Sequence, residues 1–258
     1  MDWIYALSGL LVGLTVGFTG VGGGSLMTPL LVLVFNVSPV VAVGTDLLYA
    51  SITKAAGAWV HHRCGTVDWP VARLLFMGSL PSTLIIILLL KHLALDEKTL
   101  SSLVSSVLSA ALLLTAAVLL FKESIRKVIL RQGNETLAVR HLPAATIAAG
   151  AVTGALVTVS SIGAGALGTV ALLFLYPRMS SAKVVGTDIA HAVPLTAVAG
   201  LGHLSLDTVD LGLLANLLAG SLPGIYIGSR LSSKFPEKAL RPLLAVMLAL
   251  IGSKMILS

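Results

Sequence analysis

Four ionisable side chains lie inside otherwise apolar stretches of the sequence, and their types and spacing indicate chemistry. Asp46 and Lys54 are eight residues apart in one stretch, and His191 follows Asp188 by one helical turn in another. A charge at the centre of a membrane helix costs about 2.5 to 3.5 kcal/mol on insertion scales, so such residues normally face the protein interior or a water-filled path. Histidine also titrates near neutral pH, which suits a proton carrier. The pattern therefore predicts proton coupling by Asp46, Asp188 and His191.

The same four residues permit a structural interpretation. Asp46 and Lys54 share a helix face but lie about 12 Å apart along it, which is too far for a direct ion pair. Lys54 can instead form a buried ion pair with Asp188, or it can hold an anion. His191 can be a hydrogen-bonded residue of the interior rather than a proton carrier. The sequence leaves these alternatives open.

A glycine cluster over residues 20–25, with the sequence GVGGGS, lies between two apolar runs and predicts a break in a membrane helix. Non-helical backbone is tolerated at membrane depth only where it is buried in protein or lines a cavity, and glycine lets a ligand approach the backbone. The helix that restarts at Ser25 would direct its N–H groups and positive dipole end at that cavity, which suits an anion. A weaker copy occurs at residues 160–167. Two such breaks at matching positions indicate the substrate site of a secondary transporter.

The predicted substrate-binding residues lie at these breaks and at the helix starts beside them. Thr45 and Thr187 are included for their hydroxyl groups, although each can equally be an ordinary helix cap. The full set is Gly22, Gly23, Gly24, Ser25, Thr45, Lys54, Gly163, Gly165 and Thr187. No catalytic residue, metal site or cofactor is predicted, and the single cysteine, Cys64, excludes an internal disulfide and a cysteine-based metal cluster.

Composition places the chain in a membrane. Of its 258 residues, 56% are hydrophobic and 11% are charged, whereas soluble domains carry about 25% charged residues. The apolar runs number about eight to ten, and a spanning helix needs roughly 20 residues. The net charge of +6 comes from loops between these runs, so it indicates membrane topology rather than nucleic-acid binding.

An internal repeat divides the chain into two halves. A shift of 141 residues aligns Gly22, Gly24 and Thr28 with Gly163, Gly165 and Thr169, and a shift of 142 aligns the segment 43–46 (VGTD) with 185–188. One inserted residue accounts for the change of shift. The predicted organisation is a first membrane half at 1–121, a basic linker at 122–141 and a second membrane half at 142–258.

Each half is predicted to contain a short second helix that is too short to span and three long helices that do span. The predicted helices are Trp3–Thr19, Ser25–Phe35, Val40–Val60, Val71–Leu90, Leu100–Phe121, Leu142–Val159, Ala166–Tyr176, Val184–Gly202, Leu211–Gly228 and Leu240–Leu257. The fold class is therefore an all-α integral membrane bundle, in which each half has a re-entrant or broken helix pair and three transmembrane helices.

Charge predicts that the halves are inverted relative to one another. With the basic linker placed inside by the positive-inside rule, the loop 61–70 containing Arg63 also lies inside. Its counterpart, 203–210, has two aspartates and no lysine or arginine, so it lies outside. An inverted repeat of this kind is typical of secondary transporters.

The chain resembles the TauE/SafE family of sulfite and sulfonate permeases. The resemblance covers nearly the whole chain and rests on the glycine cluster with Pro29, the Val43-Gly44-Thr45 helix start, and the second copy of both. It implies export or uptake of sulfite, of sulfonates such as sulfoacetate, or of related organic anions. The chain departs from the pattern at Val170, where the second copy would have proline, and at Asp46 and Asp188, where a smaller uncharged polar residue is expected.

The resulting hypothesis is a multi-pass secondary transporter that moves a small anion across the inner membrane by alternating access, with protons as a candidate coupling ion. The expected partners are the anion, protons and the lipid bilayer, and no nucleic acid. The alternative is a cation- or proton-linked carrier that uses Asp46 and Asp188. An intramembrane enzyme is disfavoured because the sequence contains neither Gly-x-Ser-x-Gly nor His-Glu-x-x-His.

The inverted repeat predicts that residues 63 and 207 lie on opposite sides of the membrane. In a Cys64→Ser background, Arg63→Cys should react with a membrane-impermeant maleimide only from the inside, and Asp207→Cys only from the outside. Labelling in intact cells and in inverted vesicles measures both. Reaction of the two cysteines from the same side would contradict the inverted arrangement.

Overall fold

The computed structural model describes residues 3–19, 24–93, 96–131, 141–163, 165–231, 245–246 and 248–255. Within them the chain forms the helices α1 (Trp3–Thr19), α2 (Gly24–Leu33), α3 (Pro39–Arg63), α4 (Trp69–Leu93), α5 (Glu97–Arg131), α6 (Leu142–Ser160), α7 (Ala166–Leu175), α8 (Ser181–Leu204) and α9 (Leu211–Leu231). Residues 245–246 and 248–255 are also helical, and none of the described residues forms a strand. The predicted all-helical fold is confirmed.

Within the described residues, five helical segments are long and apolar enough to cross a membrane: α4, Lys98–Val118 of α5, α6, α8, and Leu211–Gly228 of α9. The helix α3 has the same length as α4, 25 residues, but it carries Asp46 and Lys54 and ends in His61-His62-Arg63. The chain is thus a multi-pass membrane protein, as its composition predicts.

Several helices extend beyond the limits predicted from apolar runs, because hydropathy marks what can lie in hydrocarbon rather than where a helix ends. The helix α5 continues past Phe121 to Arg131, so the start of the predicted linker is helical. Its last part contains neither glycine nor proline, the two residues that most disfavour a helix. The rest of the linker before His141 lies outside the described residues, as does part of the predicted last helix.

The most extensive helix packing joins one half of the chain to the other. The helix α1 packs on α9, α4 on α6, and α3 on α8. Gly9 and Gly13 of α1 lie directly against the backbone of Leu217 and Ser221 in α9. Small residues permit this approach because a larger side chain would hold the backbones apart. The predicted glycine face of α1 therefore has its partner within the same chain.

The same contact occurs a second time with the halves exchanged. Gly150 and Gly154 of α6 lie against the backbone of Leu75 and Ser79 in α4. Under the repeat shifts, α6 corresponds to α1 and α4 corresponds to α9. The two halves thus contact each other through equivalent surfaces, whereas their opposite orientation in the membrane stays a prediction.

The centre of the bundle is formed by α3 and α8. Val43, Leu47 and Tyr49 of α3 are fully buried. Of the most apolar stretch of α8, 61% is buried inside the protein, against 28% of the corresponding stretch of α4. Large apolar side chains such as Met77 and Ile85 of α4 are exposed, as expected for a surface that faces lipid. The polar residues of α3 and α8 are therefore placed in the interior, where their interactions must be satisfied by other helices.

Substitution of Gly13 tests the close packing of α1 on α9. A Cβ at this position would collide with the Ser221 backbone, and overpacking typically costs about 1 to 3 kcal/mol. We expect Gly13→Ala to lower the thermal unfolding temperature in detergent. Gly57→Ala is the matched control, because its Cβ would meet only Ile189 Cγ2, at 3.8 Å, and alanine favours a helix by roughly 0.5 to 1 kcal/mol over glycine. Equal effects of the two variants would contradict the packing argument.

Candidate functional site

The carboxylate of Asp46 is fully buried and joins both halves of the chain. Thr28 Oγ1 of α2 and Ser161 Oγ, at the end of α6, both donate hydrogen bonds to Asp46 Oδ2, the second at 2.9 Å. The other oxygen, Oδ1, is buried and has no hydrogen-bond partner among the described residues. Two hydroxyl donors thus converge on one oxygen and leave the second oxygen without a donor there.

Asp188, the counterpart of Asp46, is held in a related way. Thr169 Oγ1 donates to Asp188 Oδ2 at 3.0 Å, and Thr169 is the counterpart of Thr28 under the repeat. The Asp188 carboxylate also lies against Gly168 of α7, where a Cβ would collide with Oδ1. In each half, then, the short helix supplies a threonine to the aspartate of the following long helix.

Lys54 and His191 complete a group of buried ionisable residues. Lys54 is 7% exposed and His191 is 3% exposed. Lys54 interacts electrostatically with Asp188 and, more weakly, with Asp46. It also lies close enough to His191 for an electrostatic interaction with the imidazole. His191 Nε2 forms a hydrogen bond with Ser79 Oγ of α4 at 2.9 Å. We call Asp46, Lys54, Asp188 and His191 the buried charge cluster.

The structure therefore brings the four intramembrane ionisable residues together. Of the alternatives for Lys54, its closeness to Asp188 favours an ion pair across the two halves. Among the described residues, no group of three histidine, cysteine or acidic side chains could hold a metal ion.

The break between α6 and α7 has a backbone that requires glycine. After Ser160 the chain turns at Ser161 with φ of 56°, and Gly163 and Gly165 have φ of 115° and 147°. Side chains other than glycine rarely adopt the last two conformations. The predicted break in the second half is therefore confirmed, and Gly165 immediately precedes α7.

The corresponding break in the first half is only partly covered. Gly22 and Gly23 lie outside the described residues. The helix α2 begins at Gly24, so Gly24 and Ser25 occupy its first turn, close to the predicted start.

Thr45 and Thr187 connect each central helix to a loop of the other half. The Asp210 N–H donates to Thr45 Oγ1 at 3.0 Å, and the Asp68 N–H donates to Thr187 Oγ1 at 2.9 Å. Both threonines are fully buried. Each hydroxyl thus supports the start of the long helix that follows the loop, α9 in one case and α4 in the other. Direct contact of these hydroxyls with a substrate stays a prediction.

Comparison with known proteins agrees with this architecture. The family model for the sulfite exporter TauE/SafE matches residues 5–255. The chain belongs to the TauE/SafE family. YjnA of Bacillus subtilis, a probable membrane transporter protein, is 38% identical over 250 residues, which cover 97% of this chain and 98% of YjnA.

Two further relatives carry similar names. YdhB of Bacillus subtilis, a probable membrane transporter protein, is 26% identical over 252 residues, which cover 94% of this chain and 95% of YdhB. A probable membrane transporter protein of Xylella fastidiosa is 28% identical over 239 residues, which cover 88% of this chain and 84% of that protein. No solved structure matches the chain. These findings identify this TauE/SafE protein as a membrane transporter.

Some residues of the site in this TauE/SafE protein were not singled out from sequence. Ser161 and Tyr49 are examples: Ser161 binds Asp46, and the Tyr49 hydroxyl forms a 2.6 Å hydrogen bond with Ser221 Oγ. The repeat contains a usable signal, because Tyr49 is the counterpart of His191 and Ser221 is the counterpart of Ser79. Each central helix therefore binds a serine of the other half at the equivalent position.

Valine substitutions distinguish the two roles open to Thr45 and Thr187. Thr45→Val removes the acceptor of the Asp210 N–H, and the net loss of one hydrogen bond costs about 0.5 to 1.5 kcal/mol. We expect a lower unfolding temperature in detergent, and we expect Thr45→Ser, which keeps the hydroxyl, to remain near the wild type. Thr187→Val should behave as Thr45→Val does. Unchanged stability with loss of anion binding would instead assign the hydroxyl to the substrate.

Proposed function

We propose that this TauE/SafE protein is a secondary transporter that carries a small anion across the inner membrane by alternating access, coupled to protons. The substrate is sulfite, a sulfonate such as sulfoacetate, or a related organic anion. The observation that carries the proposal is the glycine break before α7, which adjoins a buried charge cluster built from both halves of the chain.

The anion is proposed to bind where the short helices begin. Thr28 of α2 and Thr169 of α7 contact Asp46 and Asp188, so both short helices lie beside the buried charge cluster. Helix starts offer N–H groups and a partial positive charge, and Lys54 adds a full one. The predicted glycines let the anion approach the backbone without a side chain in between.

The two carboxylates make proton coupling part of the proposal. An anion placed beside Asp46 and Asp188 is repelled unless these groups are paired or protonated, since the interaction between like charges is strong in a poorly polarisable interior. Binding a proton together with the anion removes this repulsion. No nucleotide-binding motif occurs in the sequence, so the driving force is proposed to be ionic.

Alternating access is supported by the equivalent contacts between halves. The contacts of Thr45 with Asp210 and of Thr187 with Asp68 are related by the repeat. In transporters with inverted repeats, the two halves exchange conformations around a central site. Opening towards one side of the membrane is proposed to separate one of these contacts while the other is kept.

A cation- or proton-linked carrier is the second candidate, favoured by the full burial of Asp46 and the near-full burial of Asp188. In this case the carboxylates bind the transported species themselves. The two candidates differ in what accumulates: an anion in the first, and a cation without any anion in the second.

Uptake by proteoliposomes tests the proposed function. Labelled sulfite and sulfoacetate should accumulate when the pH gradient is imposed in one direction, and acetate and sulfate serve as comparison anions. Gly165→Val should abolish uptake, because φ of 147° at this position is strained for valine by about 1 to 3 kcal/mol and its side chain would occupy the approach to α7.

Gly57→Ala is the control for helix substitution and should retain uptake. Lys54→Gln tests whether a full charge rather than the helix start attracts the anion. Normal uptake by Gly165→Val together with complete loss in Lys54→Gln would show that the glycine break is only a packing device. Uptake of rubidium or sodium without any anion would support the second candidate.

A further inference from the structure

The buried charge cluster has more negative than positive groups. Among the described residues, it contains two carboxylates, Asp46 and Asp188, and one ammonium, Lys54. His191 forms a hydrogen bond with Ser79, and its imidazole is counted as neutral. With every carboxylate ionised, the cluster therefore has one uncompensated negative charge in a region that is almost entirely buried.

The repeat shows why only one carboxylate has a cation. The counterpart of Lys54 in the second half is Thr196, whose hydroxyl donates to the backbone oxygen of Ala192 at 2.9 Å. The single lysine interacts more strongly with Asp188 than with Asp46. Asp46 is therefore the carboxylate whose charge is not balanced by an adjacent cation.

The hydrogen bonds of Asp46 leave one position for a proton. Thr28 and Ser161 both donate to Oδ2, while Oδ1 is buried and has no partner among the described residues. An ionised carboxylate buried in this way lacks donors on one oxygen, which is costly. A proton on Oδ1 removes the charge without displacing either hydroxyl.

Asp46 also differs from Asp188 in what it connects. Ser161 belongs to the break of the second half, so its hydrogen bond ties Asp46 of the first half to that break. The counterpart of Ser161 is Gly20, which has no hydroxyl to offer to Asp188. A change in the charge of Asp46 therefore alters a contact between the halves.

The other groups around Asp46 do not supply the missing positive charge. The ionisable groups that interact with it are Lys54 and Tyr49, both of α3, and Lys54 in turn interacts with Asp188 of α8. The helices α2 and α6 present the hydroxyls of Thr28 and Ser161. The sequence of α5 between its first turn and Phe121 contains no charged residue.

We propose that Asp46 is the residue that carries the transported proton, bound at Oδ1, while Asp188 and Lys54 form an ion pair that stays ionised through the cycle. This assignment rests on the proposed transport function and makes the two halves unequal in role. The proton reaches the Asp46 carboxylate from water on one side, forms the neutral acid, and leaves to water on the other side. The hydrogen bond from Ser161 is strong to the carboxylate and weaker to the neutral acid, so the proton weakens the tie between α3 and the break.

Infrared spectroscopy of the purified protein without substrate tests the assignment. A protonated carboxyl in an apolar site has a C=O stretch that is separate from the amide bands and shifts in D₂O. The wild type should show this band with an intensity that rises as the pH falls. Asp46→Asn should remove the band at every pH. Asp188→Asn removes the ion-pair partner of Lys54, which can then interact more strongly with Asp46, so the band should persist there but require a lower pH than in the wild type.

The double variant Lys54→Met/Asp188→Asn keeps the assignment testable if a single variant does not fold, because it removes both members of the ion pair together. It should retain the Asp46 band and unfold at a higher temperature than Lys54→Met alone, which leaves Asp188 without its cation. The spectra are recorded in sodium buffer and in choline buffer, and the band should be the same in both.

Three results would overturn the assignment. The first is that the band is absent from the wild type at every pH. The second is that the band is lost in Asp188→Asn and kept in Asp46→Asn. The third is that sodium abolishes the band, which would mean that a metal cation occupies the site. Because no substrate is present, these results are independent of the transport function. That function fails separately, if proteoliposomes accumulate none of the anions tested.

Discussion

The structure depends on the requirement that charges buried in a membrane interior be compensated by neighbouring groups. Removing an ion from water costs several kcal/mol even after the protein relaxes. Asp188 meets this requirement with Lys54 and the hydroxyl of Thr169, and Asp46 meets it with two hydroxyl groups and the proton proposed at Oδ1. These groups come from α2, α3, the end of α6, α7 and α8. The two central helices, α3 and α8, must therefore lie side by side. The short helices α2 and α7 must lie close enough to them for Thr28 and Thr169 to reach the two aspartates. Most of the architecture follows from this one constraint.

The two halves form equivalent hydrogen bonds around their aspartates, and they differ at a few positions. The pairs Thr28–Asp46 and Thr169–Asp188 are equivalent, as are the pairs Tyr49–Ser221 and His191–Ser79. Lys54 has no charged counterpart and Ser161 has no hydroxyl counterpart. The duplicated contacts maintain the shared framework, and the single ones make the two aspartates chemically different. Function in a duplicated chain can thus arise from the few positions at which the copies disagree.

Much of the fold could be predicted from the sequence because glycines and charged residues are energetically unfavourable inside a membrane helix, so their positions there are informative. Glycines in an apolar run indicated the break that the structure shows at Gly163 and Gly165, and buried charges identified α3 and α8 as interior helices. Helix ends were less accessible: α5 extends to Arg131 because its polar continuation favours a helix outside hydrocarbon. The acceptors of the Asp68 and Asp210 N–H groups could not be predicted either. They depend on how each loop meets a helix that is distant in sequence, which periodicity does not encode.

The packing of glycine faces has a consequence for how the chain is made. The partner of α1 is α9, near the other end of the chain, and α1 therefore enters the membrane before the surface that it packs on has been synthesised. Until α9 is present, the glycine face of α1 is in contact with lipid and lacks the helix backbone that it packs against in the folded protein. The helix pair α4 and α6 can form earlier, because its members are close in sequence. The contact between α4 and α6 can thus form before the contact between α1 and α9, which requires that α9 has been synthesised and inserted.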